Sequence, residues 1–244
     1  MSLGQVDTSY NCYKNKMRYY ADLHLHSTFS DGNHSVRELL YLAQKKDLQV
    51  ISITDHNWVG SYQNLGDEFG ITCLDGVEIS TIHKGTAVHL LGYSRGFSNL
   101  DEFNSKLSSV RVGYNKRFEK VAQKLKEEYS LTVPKEARTS KNALARFALN
   151  SGISPDTVKK IRVPEENYFL ELREAIELIH ANNGYAVIAH PGQVLSKLST
   201  SEFAELFSDV ITDVDGIELY HPKNVPFTSF LKEYAAEHSL YITG

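Results

Sequence analysis

Tyr20-Ala-Asp-Leu-His-Leu-His26, continued by Ser27-Thr-Phe-Ser-Asp-Gly32, carries the strongest structural signal in the chain. In an extended run, residues i and i+2 point to the same face. Asp22, His24 and His26 are therefore expected on one face, with Leu23 and Leu25 on the other. Two imidazoles side by side at a strand end form a natural chelate for a divalent cation. A bare H-x-H suits a hydrogen-bonded pair of core histidines equally well, so the surrounding pattern has to decide.

That pattern recurs. V-I-S-I-T runs into Asp55-His56, G-V-E closes on Glu78, the next apolar run contains His89, and V-I-A ends in His190-Pro191. In β/α barrels, functional side chains gather where strands end. His89, near the start of its run, fits if that strand is antiparallel to its neighbour. Seven strands are expected, at 19–24, 50–54, 72–78, 87–93, 185–189, 216–220 and 240–243. The third and fourth are joined only by S-T-I-H-K-G-T, which predicts a hairpin-like or edge pairing. Amphipathic helices separate most of the others, as at 35–46, where Leu39, Leu40, Leu42 and Ala43 give one apolar face. Strands alternating with helices predict an α/β fold with a parallel sheet or barrel.

Between residues 99 and 167 the rhythm becomes helical, with helices expected at 100–109, 112–129, 141–151 and 155–160. The expected organisation is a barrel in two parts, 17–98 and 168–244, interrupted by a helical insertion over one end, after a polar leader at 1–16. A chain of 244 residues is long enough for one large α/β domain. Its net charge of −4 gives no reason to expect a nucleic-acid-binding surface. Two distant cysteines, Cys12 and Cys73, fit a reducing compartment rather than a disulfide scaffold. Apolar runs are too short for a bilayer, and the first residues lack the order of a secretory signal. The expected location is cytoplasmic, with no membrane partner; composition says nothing of oligomeric state.

The stretches D-L-H-L-H-S-T-F-S-D-G, S-I-T-D-H, G-V-E-I-S, V-H-L-L-G-Y and V-I-A-H-P-G, in this order, resemble the PHP (polymerase and histidinol phosphatase) domain phosphoesterases. The likeness runs from Arg18 to Gly244 and is nearest to the small bacterial branch acting on nucleoside phosphates and short RNA ends. It implies a distorted, seven-stranded (β/α)7 TIM-like barrel with two to three divalent ions: manganese, iron or zinc. By resemblance, His24 and His26 bind the first ion, Glu78 bridges the first and second, His89 and His190 complete the second, and Asp31 and His56 hold the third. Asp22 and Asp55 suit outer roles, orienting an imidazole through its other nitrogen. The family carries G-S-D-x-H after its last strand, whereas this sequence ends at Leu240-Tyr241-Ile242-Thr243-Gly244. The expectation is a sequence cut inside that motif, with the second ion's site best preserved and turnover weak or absent. Asn57-Trp58 follows T-D-H where the family usually has D-T, which bears on substrate fit.

The resemblance implies hydrolysis of a phosphate ester by metal-activated water, with Glu78 at the catalytic centre. His221, at the end of the sixth expected strand, is a candidate catalytic group by position. Arg111, Arg117, Lys141 and Arg146 of the insertion are candidate phosphate ligands, because guanidinium forks suit phosphate oxygens. The expected partner is a small nucleotide, a nucleoside bisphosphate or the 5′ end of a short RNA or DNA, with histidinol phosphate next. An amidohydrolase-like C–N hydrolase would usually add a metal-bridging lysine, which the strand ends do not offer. A degenerate, non-catalytic module is the third reading. His34, His180 and His238 are assigned to helix ends or polar faces, and His83 to a strand-connecting loop.

Overall fold

The computed structural model describes residues 20–134, 141–160 and 169–244. The expected leader, the first residue of the first expected strand, and the junction at 161–167 lie outside the described residues. So do the side chains of Arg117 and Lys141.

Among the described residues, eight strands form one sheet: β1 (Ala21–Leu25), β2 (Val50–Ile53), β3 (Thr72–His83), β4 (Thr86–Ser94), β5 (Leu170–Glu171), β6 (Tyr185–Ile188), β7 (Gly216–Glu218) and β8 (Tyr241–Thr243). The order is β1-β2-β3-β4-β6-β7-β8, with β5 added beside the end of β3. β3 and β4 are antiparallel, paired from Asp75–Ser94 to His83–Thr86, and β4 is antiparallel to β6. The remaining pairs are parallel. The hairpin is longer than its sequence suggested, because the linker S-T-I-H continues β3 and only Lys84-Gly85 turns. His83 is thus not a loop residue. It is buried, with Nε2 2.9 Å from the Leu206 carbonyl, and packs away from the candidate ligands.

The sheet is curled into a half-barrel, and among the described residues no pairing joins β8 to β1. It differs from a closed seven-stranded barrel in this gap and in the extra strand β5. Curling is nevertheless strong: the Tyr93 hydroxyl on β4 donates to the Leu23 carbonyl on β1 at 2.9 Å. Leu23 packs inside the curl against Leu91, Tyr93, Val187 and Ala189. Leu25 packs instead against Leu39, Leu40 and Ile53 on the helix side. The two leucines do not share a face, because the β1–β2 register shifts between Asp22 and Leu25 and breaks the alternation.

Helix α1 (Val36–Lys45) starts at a capping box in which Ser35 and Glu38 satisfy each other's backbone N–H groups. It buries Val36, Leu39, Leu40 and Ala43, while Leu42 stays exposed. α2 (Gln63–Glu68) leads into β3. α6 (Leu172–Ala181), α7 (Gly192–Leu195), α8 (Thr200–Phe207) and α9 (Thr228–Glu237) surround the β4–β8 half. They cover a large core in which Phe203, Phe207, Leu231 and Ile179 meet Ile79, Leu90, Ile188 and Ile217. The outer faces of the strands feed this core, while the inside of the curl holds the smaller apolar cluster around Leu91 and Tyr93 together with the polar groups described below.

The insertion contains α3 (Leu100–Tyr129), α4 (Lys141–Asn150) and α5 (Pro155–Lys160). α3 is one 30-residue helix where two were expected. Asn99 caps its start, and Val110, fully buried, continues the helix through the expected break. Phe103 and Leu107 join the main core, whereas Phe118, Val121 and Leu125 form a separate small core with Leu144 and Ala148 of α4.

Candidate metal centre

Glu78 is the focus of the inner face. It is 1% exposed, and five imidazoles surround it. Its Oε2 lies 3.0 Å from His26 Nε2, 3.3 Å from His24 Nε2 and 3.3 Å from His56 Nδ1. Its Oε1 lies 2.6 Å from His89 Nδ1 and 2.8 Å from His190 Nε2. Asp31 stands outside this group, with Oδ1 3.4 Å from His26 Nδ1 and 3.9 Å from His56 Nε2. The seven candidate ligands named from the sequence, His24, His26, Asp31, His56, Glu78, His89 and His190, are therefore brought together at one rim.

Each arrives by a local device. β3 runs antiparallel to β4, with Glu78 paired to Leu91 and Ser80 to His89, so Glu78 and His89 lie close on adjoining strands. His56 is carried by the turn after β2. Asn57 there takes φ 53°, its N–H donates to the Glu78 carbonyl at 2.9 Å, and its side chain clasps Ser80 through both amide atoms. The residue that departs from the family's usual D-T is thus a buried clamp for the His56 turn. Asp31 is returned toward His26 by the turn at Gly32, where a Cβ would lie 1.8 Å from the His26 carbonyl oxygen. Only glycine leaves that carbonyl its space.

Electrostatics follow from burial. Desolvation works against the Glu78 carboxylate, yet the imidazoles around it hold its pKa well below the usual carboxylate range. Burial, reinforced by the neighbouring His26, His89 and His24 rings and opposed by Glu78, pushes His56 down to about 3. His24 suffers the same desolvation, but bonds to Glu218 and Glu78 outweigh it and lift the ring to about 10.

Divalent cations fit this donor set. A carboxylate offers about four lone-pair positions, fewer than the five ring nitrogens directed at Glu78. His24 Nε2 and His26 Nε2 also face each other at 3.1 Å. Hydrogen bonding alone serves such convergence poorly, whereas imidazole and carboxylate groups are ordinary ligands of zinc, iron and manganese. Among the described residues, three triads have ligand atoms within 4.8 Å of one another: His24–His26–Glu78, His26–Asp31–His56 and His56–Glu78–His89. The first corresponds to the first expected ion. The others overlap differently from expectation, since His56 also approaches Glu78 and His26 also approaches Asp31.

Two outer roles are corrected. Asp55 orients no imidazole: its carboxylate accepts from Ser27 N (2.8 Å), Ser27 Oγ (2.6 Å) and Ser30 Oγ (2.5 Å), fixing the loop after β1. The Asp22 carboxylate accepts from the His24 backbone N–H, at 3.4 Å, rather than from a ring nitrogen. The carboxylate that does meet an imidazole's other nitrogen is Glu218, whose Oε1 is 2.9 Å from His24 Nδ1. Glu218 was missed, although G-I-E ends a strand as G-V-E does, and that parallel was the available signal.

His221 stands at the rim, its ring centroid 5.2 Å from that of His190 and 6.0 Å from that of His24. Its Nδ1 accepts from the Lys223 N–H at 3.1 Å. Arg146 donates to Asn33 Oδ1 at 2.9 Å. The Arg111 guanidinium lies 4.7 Å from the centre of the Trp58 ring. His180 pairs with Asp215 at 2.8 Å, His34 is exposed, and His238 follows α9 against Tyr234.

A family model described as the PHP domain matches residues 22–215. A 5′-3′ exoribonuclease of Haemophilus influenzae is 29% identical over 191 residues, covering 70% of this chain and 68% of that protein. A 3′,5′-nucleoside bisphosphate phosphatase of Chromobacterium violaceum is 26% identical over 192 residues, covering 70% and 67%. The chain thus aligns with about two thirds of each of these relatives. A solved structure from Chromobacterium violaceum, described as an amidohydrolase with bound sulfate and no metal, superposes with a TM-score of 0.78 at 24% identity, over 93% of this chain and 86% of that one. It establishes likeness of fold. No helix among the described residues is long and apolar enough to cross a membrane. The chain belongs to the PHP domain family, and it is an enzyme of the hydrolase class.

Proposed function

We propose that the chain is a metal-dependent phosphoesterase that hydrolyses a phosphate ester of a small nucleotide, a nucleoside bisphosphate or the 5′ end of a short oligonucleotide, with a histidinol-phosphate-type substrate as the alternative. The observation that carries this is the buried Glu78 carboxylate met by five imidazoles at 2.6–3.3 Å. His24, His26, Asp31, His56, Glu78, His89 and His190 would hold two to three divalent cations, manganese, iron or zinc. Bound there, such ions acidify water and neutralise phosphate oxygens.

The chain's own residues supply the rest. Glu78, kept ionised, gives the site the negative charge that clustered cations need. Asp55 keeps the loop after β1 folded toward the rim, so Asp31 stays beside His26. His221, half-buried at the rim, is placed to hand a proton to a leaving oxygen, and burial lowers its pKa, which favours the neutral ring once the proton has gone.

The helical insertion, 99–167, is read as a cap over this rim. Arg146 binds Asn33, two residues after Asp31, and Arg111 covers Trp58, two residues after His56. Arg146 borders the loop that carries Asp31, which supports a role in holding phosphate, while Arg111, a phosphate candidate by sequence, is engaged by the Trp58 ring and is read as an anchor of the insertion. Arg117 and Lys141 are proposed on sequence alone. A cytoplasmic setting is proposed on cysteine usage.

The test is phosphate release from nucleoside monophosphates, nucleoside bisphosphates, a short 5′-phosphorylated RNA and histidinol phosphate, with and without added Mn2+. Cation-dependent release from a nucleotide or RNA end is expected. Cleavage confined to histidinol phosphate would replace the substrate assignment. No cation binding by calorimetry would remove the enzymatic reading.

A further inference from the structure

The two oxygens of Glu218 are committed to two different strands. Oε1 meets His24 Nδ1 at 2.9 Å, and Oε2 accepts the His190 backbone N–H at 2.6 Å. The residue is 1% exposed. β1, which carries His24, and β7, which ends in Glu218, are not neighbours in the sheet. The side-chain bond therefore spans the curl where no backbone ladder does.

The second contact holds an unusual backbone. His190 has φ 28°, in the left-handed region that a β-carbon disfavours. Such a setting persists only when its surroundings over-determine it. Here the surroundings are a small polar lattice. Asn224, fully buried, donates to the Glu218 carbonyl at 2.8 Å and accepts the Gly192 N–H at 2.7 Å. A Cβ at Gly192 would sit 2.1 Å from the Lys223 carbonyl oxygen, so this turn is pressed against the segment that bears Asn224. Glu218 and Asn224 together tie the end of β6 to the end of β7.

We propose that Glu218 is a positioning residue for two cation ligands at once. It accepts the Nδ1 proton of His24, which leaves Nε2, facing Glu78 and His26, as the atom that would meet a cation, and through the His190 backbone it aims the His190 ring at Glu78. A carboxylate is required because both of its partners are donors. The inference rests on the cation-site reading above and adds to it a residue outside the ligand set. A metal-bound imidazole commonly gives its other N–H to a carboxylate, and loss of that partner typically weakens cation binding about 10–100-fold.

The experiment is a Zn2+ titration of the full chain and of Glu218→Gln by calorimetry, with circular dichroism to verify the fold. A carboxamide has one acceptor oxygen, so it can serve one of the two donors and turns an N–H toward the other. A folded variant with affinity about 10–100-fold below wild type is the expected result. Unchanged affinity overturns the proposal while leaving the cation site standing. If wild type itself binds neither Zn2+ nor Mn2+, both readings fall together. Should the variant not fold, the wild-type protein still decides: long-range 1H–15N spectra of the Zn2+-loaded chain should show His24 protonated at Nδ1. A proton on Nε2 instead overturns the assignment.

Discussion

The rim of the half-barrel and the helical insertion place polar side chains in opposite ways. At the rim, each candidate ligand is fixed by the backbone beneath it: Glu78 by the β3–β4 ladder, His56 by the Asn57 clamp, Asp31 by the close turn at Gly32. Their partners lie within a few ångströms on neighbouring strands or strand-end loops, and burial leaves them little freedom. In the insertion, Arg146 is exposed at the end of a long flexible stem, on a helix whose core is separate from the sheet's. Rigid, desolvated groups suit ligation and chemistry, while reaching cations suit capture of a substrate. If that division is real, rim substitutions should cost orders of magnitude in turnover and insertion substitutions only fractions of one.

The largest effect is expected at Glu78. Glu78→Ala removes the one carboxylate shared by five imidazoles, so cation binding and turnover should both fall by more than the roughly 100-fold that loss of an outer partner can cause. Calorimetry with Mn2+ and phosphate release measure the two. Near-normal turnover would end the contrast between the regions. Removal of the cations should come next. Dialysis against a chelator should abolish release, and Mn2+ should restore it. A ligand present at 100 times its dissociation constant stabilises the native state by about 2.7 kcal/mol. At about 2–4 °C per kcal/mol for a chain of this size, loading should raise Tm by about 5–10 °C. A Tm indifferent to Mn2+ would argue that the imidazoles are packed for hydrogen bonding only.

His221 and Arg146 sharpen the comparison from either side. His221→Ala should lower kcat by about 100-fold, the lower end for a lost general acid, with cation affinity little changed. Loss of cation affinity instead would make His221 a ligand. Arg146→Ala should raise KM about three- to tenfold and leave kcat alone, as expected when binding shared by substrate and transition state is lost. A fall in kcat at constant KM would place Arg146 with the rim.

The same contrast explains what could be read from the sequence. Side-chain alternation and strand ends are short-range features, so His24, His26, Glu78 and His190 were visible as candidates before any coordinates. The antiparallel hairpin was legible from its brief linker, and the position of His89 followed from it. What failed depended on relations between distant segments. The register shift in β1 separates Leu23 from Leu25, and no local pattern announces it. Glu218 stands opposite His24, 194 residues apart in sequence, only because the sheet curls. The gap between β8 and β1 is likewise a matter of curvature. α3 was split in expectation at residues 110–111, yet Val110 is buried at that point and the helix runs through it unbroken.

Arg111 carries the smallest prediction and tests where the division lies. It belongs to the insertion by sequence, but its guanidinium is stacked 4.7 Å from the Trp58 ring centre, and Trp58 rides on the turn that delivers His56. Nearby, Asn104 of α3 grips both the N–H and the carbonyl of Val59, each at 2.9 Å. The first turns of α3 are thus anchored to the rim, and the stacking adds to that anchor. A cation–π contact at a partly exposed site contributes about 0.5–1 kcal/mol. Arg111→Gln should therefore lower Tm by about 1–4 °C, with KM unchanged. A KM rise matching that of Arg146→Ala, at constant Tm, would instead show that Arg111 leaves Trp58 to meet phosphate. The boundary between rigid rim and reaching insertion would then fall before α3 rather than along it.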